Sequence, residues 1–179
     1  MQSPAKRTFA DAPKIVASAD SQSIVAWRCF LIVIVHHQPS VSDVEAMIAE
    51  VARLKSEGVP HVGLIHVARR TPKLDPPPEP VRNAYRRLMN DKSTIVRASA
   101  VVVEQEGFFG SVVRSVVTSL SVLARPVYPT RALPDKPTAA AWVLAQLAEH
   151  DTGEPPATAF ELIDAMEAAL VLSDGAGAA

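Results

Sequence analysis

Residues 23–35 carry the feature that most restricts the fold, the almost unbroken apolar run SIVAWRCFLIVIV. A strand with one face in water alternates apolar and polar side chains, whereas a strand covered on both faces reads as a continuous apolar run. The run is far shorter than the roughly 20 residues that cross a bilayer, and Arg28 lies inside it. It therefore predicts a central strand of a parallel or mixed sheet with helices on both sides.

The residues after this run predict an amphipathic helix. Val44, Ile48 and Val51 recur at helical spacing, and Gly58 ends the pattern. Ser42 and Glu45 stand at the spacing of a capping box, in which each side chain satisfies a backbone N–H at the start of the helix. The strand is thus predicted to lead directly into a helix that crosses to the next strand.

β-Type and helical sequence patterns continue to alternate along the chain. Further strands are predicted at KIVAS, HVGLIHVA, ASAVVVEQ and PVYPTRAL, the last at a sheet edge because Pro129 interrupts it. Helices are predicted from Val81, after Gly110 and after the cap Asp135. The fold class is therefore α/β, with a mixed, mostly parallel sheet of about five strands flanked by helices, plus an extra C-terminal helix.

The same sequence patterns suggest the domain organisation. Residues 1–12 are expected to form a flexible arm and residues 13–150 the α/β domain. Residues 151–156 are linker-like, residues 157–172 form an amphipathic helix, and residues 173–179 form a flexible tail. Two packings of the last helix remain open, on its own domain or on a partner.

Composition restricts the function classes. Lys and Arg total 18 against 19 Asp and Glu, so nothing global indicates nucleic acid as a partner. The single cysteine, Cys29, fits a reducing compartment, and the first residues lack the apolar core of a signal peptide. We expect a cytoplasmic protein that does not insert into membranes and needs no cofactor.

The element order and hydrophobic pattern of residues 13–149 resemble the STAS domain of bacterial anti-sigma factor antagonists and its relatives. The resemblance lies in four stretches: HHQPSVSDVEAMIAEVARL, VRNAYRRLMN, SAVVVEQEGFFGSVVRSVVTSL and ARPVYPTRALPDKPTAAAWVLAQL. It implies a STAS-like α/β fold, and sigma-factor control is not carried over from it. In that family the loop after the central strand carries a phosphorylated serine. The corresponding stretch here, HVARRTPKLDPPPEP, has no serine, and Thr71 is its only hydroxyl residue.

Histidines mark the expected ligand-binding end of the sheet. His36 and His37 follow one strand, His66 lies near the end of the next, and Glu104 follows a third. Adjacent residues of an extended strand point to opposite faces, so at most one of His36 and His37 can reach a shared site. No zinc-type spacing and no nucleophile motif occurs. We therefore expect no catalytic residue and no metal site, and no enzymatic activity.

Two other groups of residues are candidates for binding. One is a basic concentration around the proline-rich loop, which suits either a solvated surface or contact with an acidic protein, a phosphate or a lipid headgroup; it consists of Arg69, Arg70, Lys73, Arg82, Arg86 and Arg87. The other is the pair Phe108 and Phe109, which suits core packing or an apolar patch at the strand ends.

The C-terminal helix carries a third candidate surface, an apolar stripe of Phe160, Ile163, Met166 and Leu170. The leading hypothesis is a non-enzymatic bacterial interaction or regulatory module that binds a partner protein or a second copy of itself. Its expected contact surface is the helix that starts at Val81 and the basic loop before it, with the C-terminal helix as an additional surface. The alternative is a small-molecule or lipid binder with a pocket at the strand ends.

Overall fold

The computed structural model describes residues 12–68, 77–103, 126–150 and 156–176. Within these ranges a single sheet has six strands in the order β1-β2-β3-β4-β5-β6. The strands are β1 (Lys14–Ser18), β2 (Gln22–Trp27), β3 (Phe30–Val35), β4 (Val62–Ala68), β5 (Val96–Val102) and β6 (Thr130–Leu133). The helices of these ranges are α1 (Val41–Ser56), α2 (Glu79–Asn90), α3 (Lys136–Ala148) and α4 (Ala159–Ala176). The helix predicted after Gly110 lies outside the described residues.

The sheet is mixed and mostly parallel, as predicted. The pairs β3–β4, β4–β5 and β5–β6 are parallel, and the pairs β1–β2 and β2–β3 are antiparallel. Strand β3 is third in the order, and its residues from Phe30 to Ile34 are fully buried. The prediction that FLIVIV is an interior strand covered on both faces is therefore confirmed.

The prediction of about five strands is wrong by one, because the apolar run folds back on itself. Trp27 pairs with Phe30, so Arg28 and Cys29 form a two-residue turn between β2 and β3. Arg28 has a φ of 50°, in the left-handed region that costs most residues energy. Its guanidinium lies 4.5 Å from the Trp27 ring centroid and donates to the Pro156 carbonyl at 3.0 Å. These contacts stabilise a turn that contains neither glycine nor proline.

The helices cover both faces of the sheet. Helix α3 contacts β4, β5 and β6, and α4 contacts β1, β2, β3 and α3. Helices α1 and α2 pack on each other and cover the opposite face, where Gln22 donates to the Asp43 carbonyl of α1 and His66 contacts Tyr85 of α2. Side chains alternate between the faces, so β3 and β4 contribute to both halves of the core.

Capping residues define the starts of α1 and α3, and the cap of α1 lies two residues before the predicted one. Helix α3 is capped by Asp135, which accepts from the Thr138 N–H at 2.7 Å, as predicted. Helix α1 is capped by Ser40 and Asp43, and not by Ser42 and Glu45. The earlier pair is favoured because Asp43 also accepts a hydrogen bond from Ser21 of the β1–β2 turn.

Candidate functional site

The carboxyl ends of β3 and β4 do not bring the histidines together. His36 lies on the face covered by α4, where its Nε2 is 3.4 Å from the Ser23 hydroxyl. His66 lies on the opposite face beside α2, and His37 is exposed. Glu104 lies outside the described residues. Among the described residues, no group of three or more histidine, cysteine, aspartate or glutamate side chains is arranged to hold a metal ion.

Asp43 is a buried carboxylate at this end of the sheet, and its hydrogen bonds join two elements. Its Oδ2 accepts from the hydroxyls of Ser21 at 2.5 Å and Ser40 at 2.6 Å, and from the Ser40 backbone N–H at 2.6 Å. Burial acts to raise the pKa of Asp43, but these hydrogen bonds outweigh burial and lower the pKa below its usual value. Asp43 is therefore an ionised structural group that fixes the β1–β2 turn to the start of α1.

His66 is buried and at most weakly hydrogen-bonded. Its side chain is 8% exposed, and neither ring nitrogen has a partner at full hydrogen-bond geometry among the described residues, although the backbone of Ala100 acts on the ring as a weak partner that favours a higher pKa. Burial lowers the pKa of His66 to about 4, so the ring is neutral at neutral pH. The ring centroid of Tyr85 lies 6.4 Å away, and burial, followed by the negative charge of Asp43, raises the pKa of Tyr85. Both rings are thus uncharged polar groups between the sheet and α2.

The predicted basic surface is only partly within the described residues. Arg69, Arg70 and Lys73 lie outside them, as do Thr71, Phe108 and Phe109. On α2, Arg82 donates to the Pro77 carbonyl at 2.7 Å, and Arg86 is exposed and donates to Asn83 at 2.9 Å. Arg87 forms an ion pair with Glu45 of α1. Of the three α2 arginines, Arg86 is therefore the exposed one without an acidic partner among the described residues.

Helix α4 packs on its own domain, which settles the question left open by the sequence. Its buried face combines two large apolar side chains, Leu162 and Met166, with three small ones, Ala165, Ala169 and Ser173. Arg28 joins its first turn to the β2–β3 turn through a 2.9 Å ion pair with Glu161. The hydrogen bonds from Arg28 and Thr158 lower the pKa of Glu161 to about 2.

The opposite side of α4 is exposed and partly apolar. Phe160 is 76% exposed and Val171 is 72% exposed. Ile163 and Leu170, which the sequence placed on the same stripe as Phe160, are half-buried against the core. We call Phe160, Asp164, Glu167 and Val171 the outer face of α4. Val171 was missed by the sequence pattern, although its spacing of 11 residues from Phe160, about three helical turns, places the two on one side.

Within the described ranges, no helix combines the length and apolar character needed to span a bilayer. The chain matches no family model, no curated protein and no solved structure.

Proposed function

We propose that this chain is a non-enzymatic interaction or regulatory module of the bacterial cytoplasm, with a STAS-like fold, and that the outer face of α4 is its docking surface. The observation that carries the proposal is the exposure of Phe160 and Val171 on a helix whose other side is buried in the core. Phe160 and Val171 lie about three helical turns apart on this face, so they offer two separate apolar anchors on one packed helix.

The packing of α4 supports the same proposal. Met166 and Leu162 anchor the helix in the core, and the Arg28–Glu161 ion pair holds its first turn. A surface held on a packed helix loses little conformational freedom when a partner binds, so more of the contact energy appears as affinity. Full burial of Phe160 and Val171 contributes roughly 1.5–3 kcal/mol each, which makes them candidate anchors of an interface.

The chemistry at the strand ends supports a role without catalysis. A general acid or base works best with a pKa near the operating pH and with access to a substrate. Asp43 is committed to three hydrogen bonds, and burial keeps His66 neutral down to about pH 4. Neither group is suited to transfer a proton at neutral pH.

The test identifies the proteins that the intact chain retains from extracts of the source cells and compares them with those retained by a Phe160→Asp, Val171→Asp double variant. The matched control is Val127→Asp, which changes another exposed valine, 47% exposed, before β6. We expect a discrete partner to be retained by the intact chain and the control and lost by the double variant. Retention of the same partner by the double variant, with unchanged circular dichroism, contradicts the proposed surface.

A second candidate function, binding of a small molecule or lipid at the strand ends, is favoured by one observation. The Oε1 atom of Gln22 is buried without a hydrogen-bond partner among the described residues, and the buried His66 ring has no partner there at full hydrogen-bond geometry. Such groups are costly unless water or a ligand satisfies them. Native mass spectrometry of protein purified from its source tests this function: a bound molecule should be retained by the intact chain and lost by His66→Leu. An intact chain that carries no added mass contradicts it.

A further inference from the structure

The outer face of α4 combines apolar and acidic groups in a fixed order. Phe160 and Val171 are separated by 11 residues, or about 16 Å along the helix axis, and lie on nearly the same side. Asp164 and Glu167 lie between them on that side and are also exposed. A partner that covers both apolar side chains must therefore cover the two carboxylates as well.

Only one of the two carboxylates has a cation beside it among the described residues. Glu167 forms a 3.1 Å ion pair with Lys136, whose side chain is largely buried at the start of α3. Asp164 has no ion pair among the described residues. Covering Asp164 with an apolar surface would remove its charge from water without compensation, which is strongly unfavourable. A cation on the partner would offset that cost.

We infer that the partner of this surface presents a basic amphipathic helix, in which a lysine or arginine lies between two apolar positions and pairs with Asp164. The inference rests on the proposed function, because it specifies the partner of the same docking surface. A helix is the matching element because its i, i+4, i+7 and i+11 positions share one face, with the same spacing as the outer face of α4.

Electrostatics disfavour two other occupants. If a second copy docked its α4 antiparallel to the first, Asp164 would face Glu167 of the other copy, whose Lys136 is already paired with that glutamate and so is not a free cation for Asp164. A parallel arrangement would place each carboxylate near its own equivalent. Like charges across an interface are destabilising. An anionic lipid surface would likewise repel these carboxylates. The surface therefore selects a basic protein segment over a copy of itself and over a membrane.

Two synthetic peptides of about 18 residues test the inference by fluorescence anisotropy. Both carry phenylalanine and leucine anchors 11 residues apart, and they differ only in having lysine or glutamate at the two positions between. We expect the lysine peptide to bind at least about tenfold more tightly than the glutamate peptide, with a preference that shrinks as salt is added. Asp164→Lys should reduce this preference about three- to tenfold, whereas Glu149→Lys, an exposed acid at the end of α3, should leave it unchanged.

The outcomes separate this inference from the proposed function. Equal affinity for the two peptides, or binding of neither while cellular capture still depends on Phe160 and Val171, overturns the basic partner and leaves the docking surface in place. Sedimentation as a dimer that the Phe160→Asp, Val171→Asp variant abolishes overturns it in favour of a second copy. Binding to vesicles of anionic phosphatidylglycerol that the same variant abolishes overturns it in favour of a membrane. If the intact chain neither binds a peptide nor captures a partner that depends on Phe160 and Val171, the proposed function itself is overturned.

Discussion

Gly63 shows how a single residue sets the distance between the sheet and α3. A Cβ atom at this position would lie 2.8 Å from Cγ1 of Val143 and 2.9 Å from Cδ1 of Phe30, both of which are fully buried. These distances are shorter than any ordinary contact between carbon atoms. The neighbouring residues that face α3, Ala98 and Ala100 of β5, are also small. The close packing of α3 on β4 and β5 therefore depends on small side chains beneath it.

Gly63→Ala should consequently destabilise the fold by about 1–3 kcal/mol, because Val143 and Phe30 must move within a packed core to admit the new methyl group. Urea unfolding followed by circular dichroism measures the change. The control is Gly175→Ala in the last turn of α4, where a Cβ would meet nothing within 4 Å. That change should leave stability equal or slightly increased, since alanine favours helix over glycine. Equal stability of the two variants would show that the contact at Gly63 relaxes without cost.

Arg28 and Asp43 lie at two structural features that the sequence did not predict, the β2–β3 turn and the position of the first residue of α1. The stretch Trp27-Arg28-Cys29-Phe30 contains none of the usual turn residues, and its turn is stabilised by Pro156 and Glu161, more than 120 positions away in the chain. The start of α1 is likewise fixed by a hydrogen bond from Ser21. Local patterns cannot reveal such partners, whereas the cap at Asp135 uses only its own neighbours and was predicted.

At the scale of elements, periodicity predicted the existence of each helix that the structure describes, but not always which side the helix buries. The large apolar residues of α4 suggested a stripe through Phe160, Ile163, Met166 and Leu170, of which only Met166 is fully buried. The buried side is instead rotated toward Ala165 and Ala169, because small side chains allow the helix to approach the sheet closely. The sizes of the side chains predicted that one face of α4 is buried. The face that is buried is a different one, which contains the small residues and lets the helix lie close to the sheet.

This orientation predicts opposite results for one substitution at two positions of α4. Met166→Asp places a carboxylate in the core without a partner and should destabilise the fold by about 3 kcal/mol or more. Phe160→Asp, on the exposed side, should change stability by only about 0.5 kcal/mol. Thermal unfolding of the two variants measures the difference. Similar losses at both positions would mean that Phe160 is covered in solution, contrary to its exposure in this structure.

At the scale of the whole molecule, the sheet separates two kinds of packing. The face beneath α3 and α4 is packed with side chains such as Phe30, Ile32 and Ile65. The face beneath α1 and α2, here called the polar side, packs against the buried polar groups Gln22, Asp43 and His66, while Ser23, Lys136 and Ser173 are buried on the α3–α4 side. The alternation of β-type and helical runs predicted the layers of this architecture. It could not predict the polar side, because each of these residues lies within or beside an apolar run and is distinguished only by its three-dimensional neighbours.

The polar side makes the stability of the whole molecule dependent on pH. His66 has a pKa of about 4 in the folded chain against about 6.5 when unfolded. Between these values the unfolded chain binds the proton and the folded chain does not, so stability falls as pH is lowered from 6.5 toward 4. The loss approaches on the order of 3 kcal/mol at the lower end of this window. Asp43, whose folded pKa is lowered, adds a further loss only as pH falls below its unfolded value of about 3.8.

Urea unfolding of the intact chain and of His66→Leu at pH 7.0, 5.5 and 4.5 isolates the histidine, because leucine cannot bind a proton. We expect the intact chain to lose stability steadily across the series and the variant to lose markedly less, whatever its stability at pH 7.0. His37→Gln is the control, since His37 is exposed and should leave the slope of the intact chain unchanged. A pH dependence that His66→Leu does not reduce would mean that water or a bound group reaches the buried ring and stabilises its charged form. That result would favour the strand ends over α4 as the binding site.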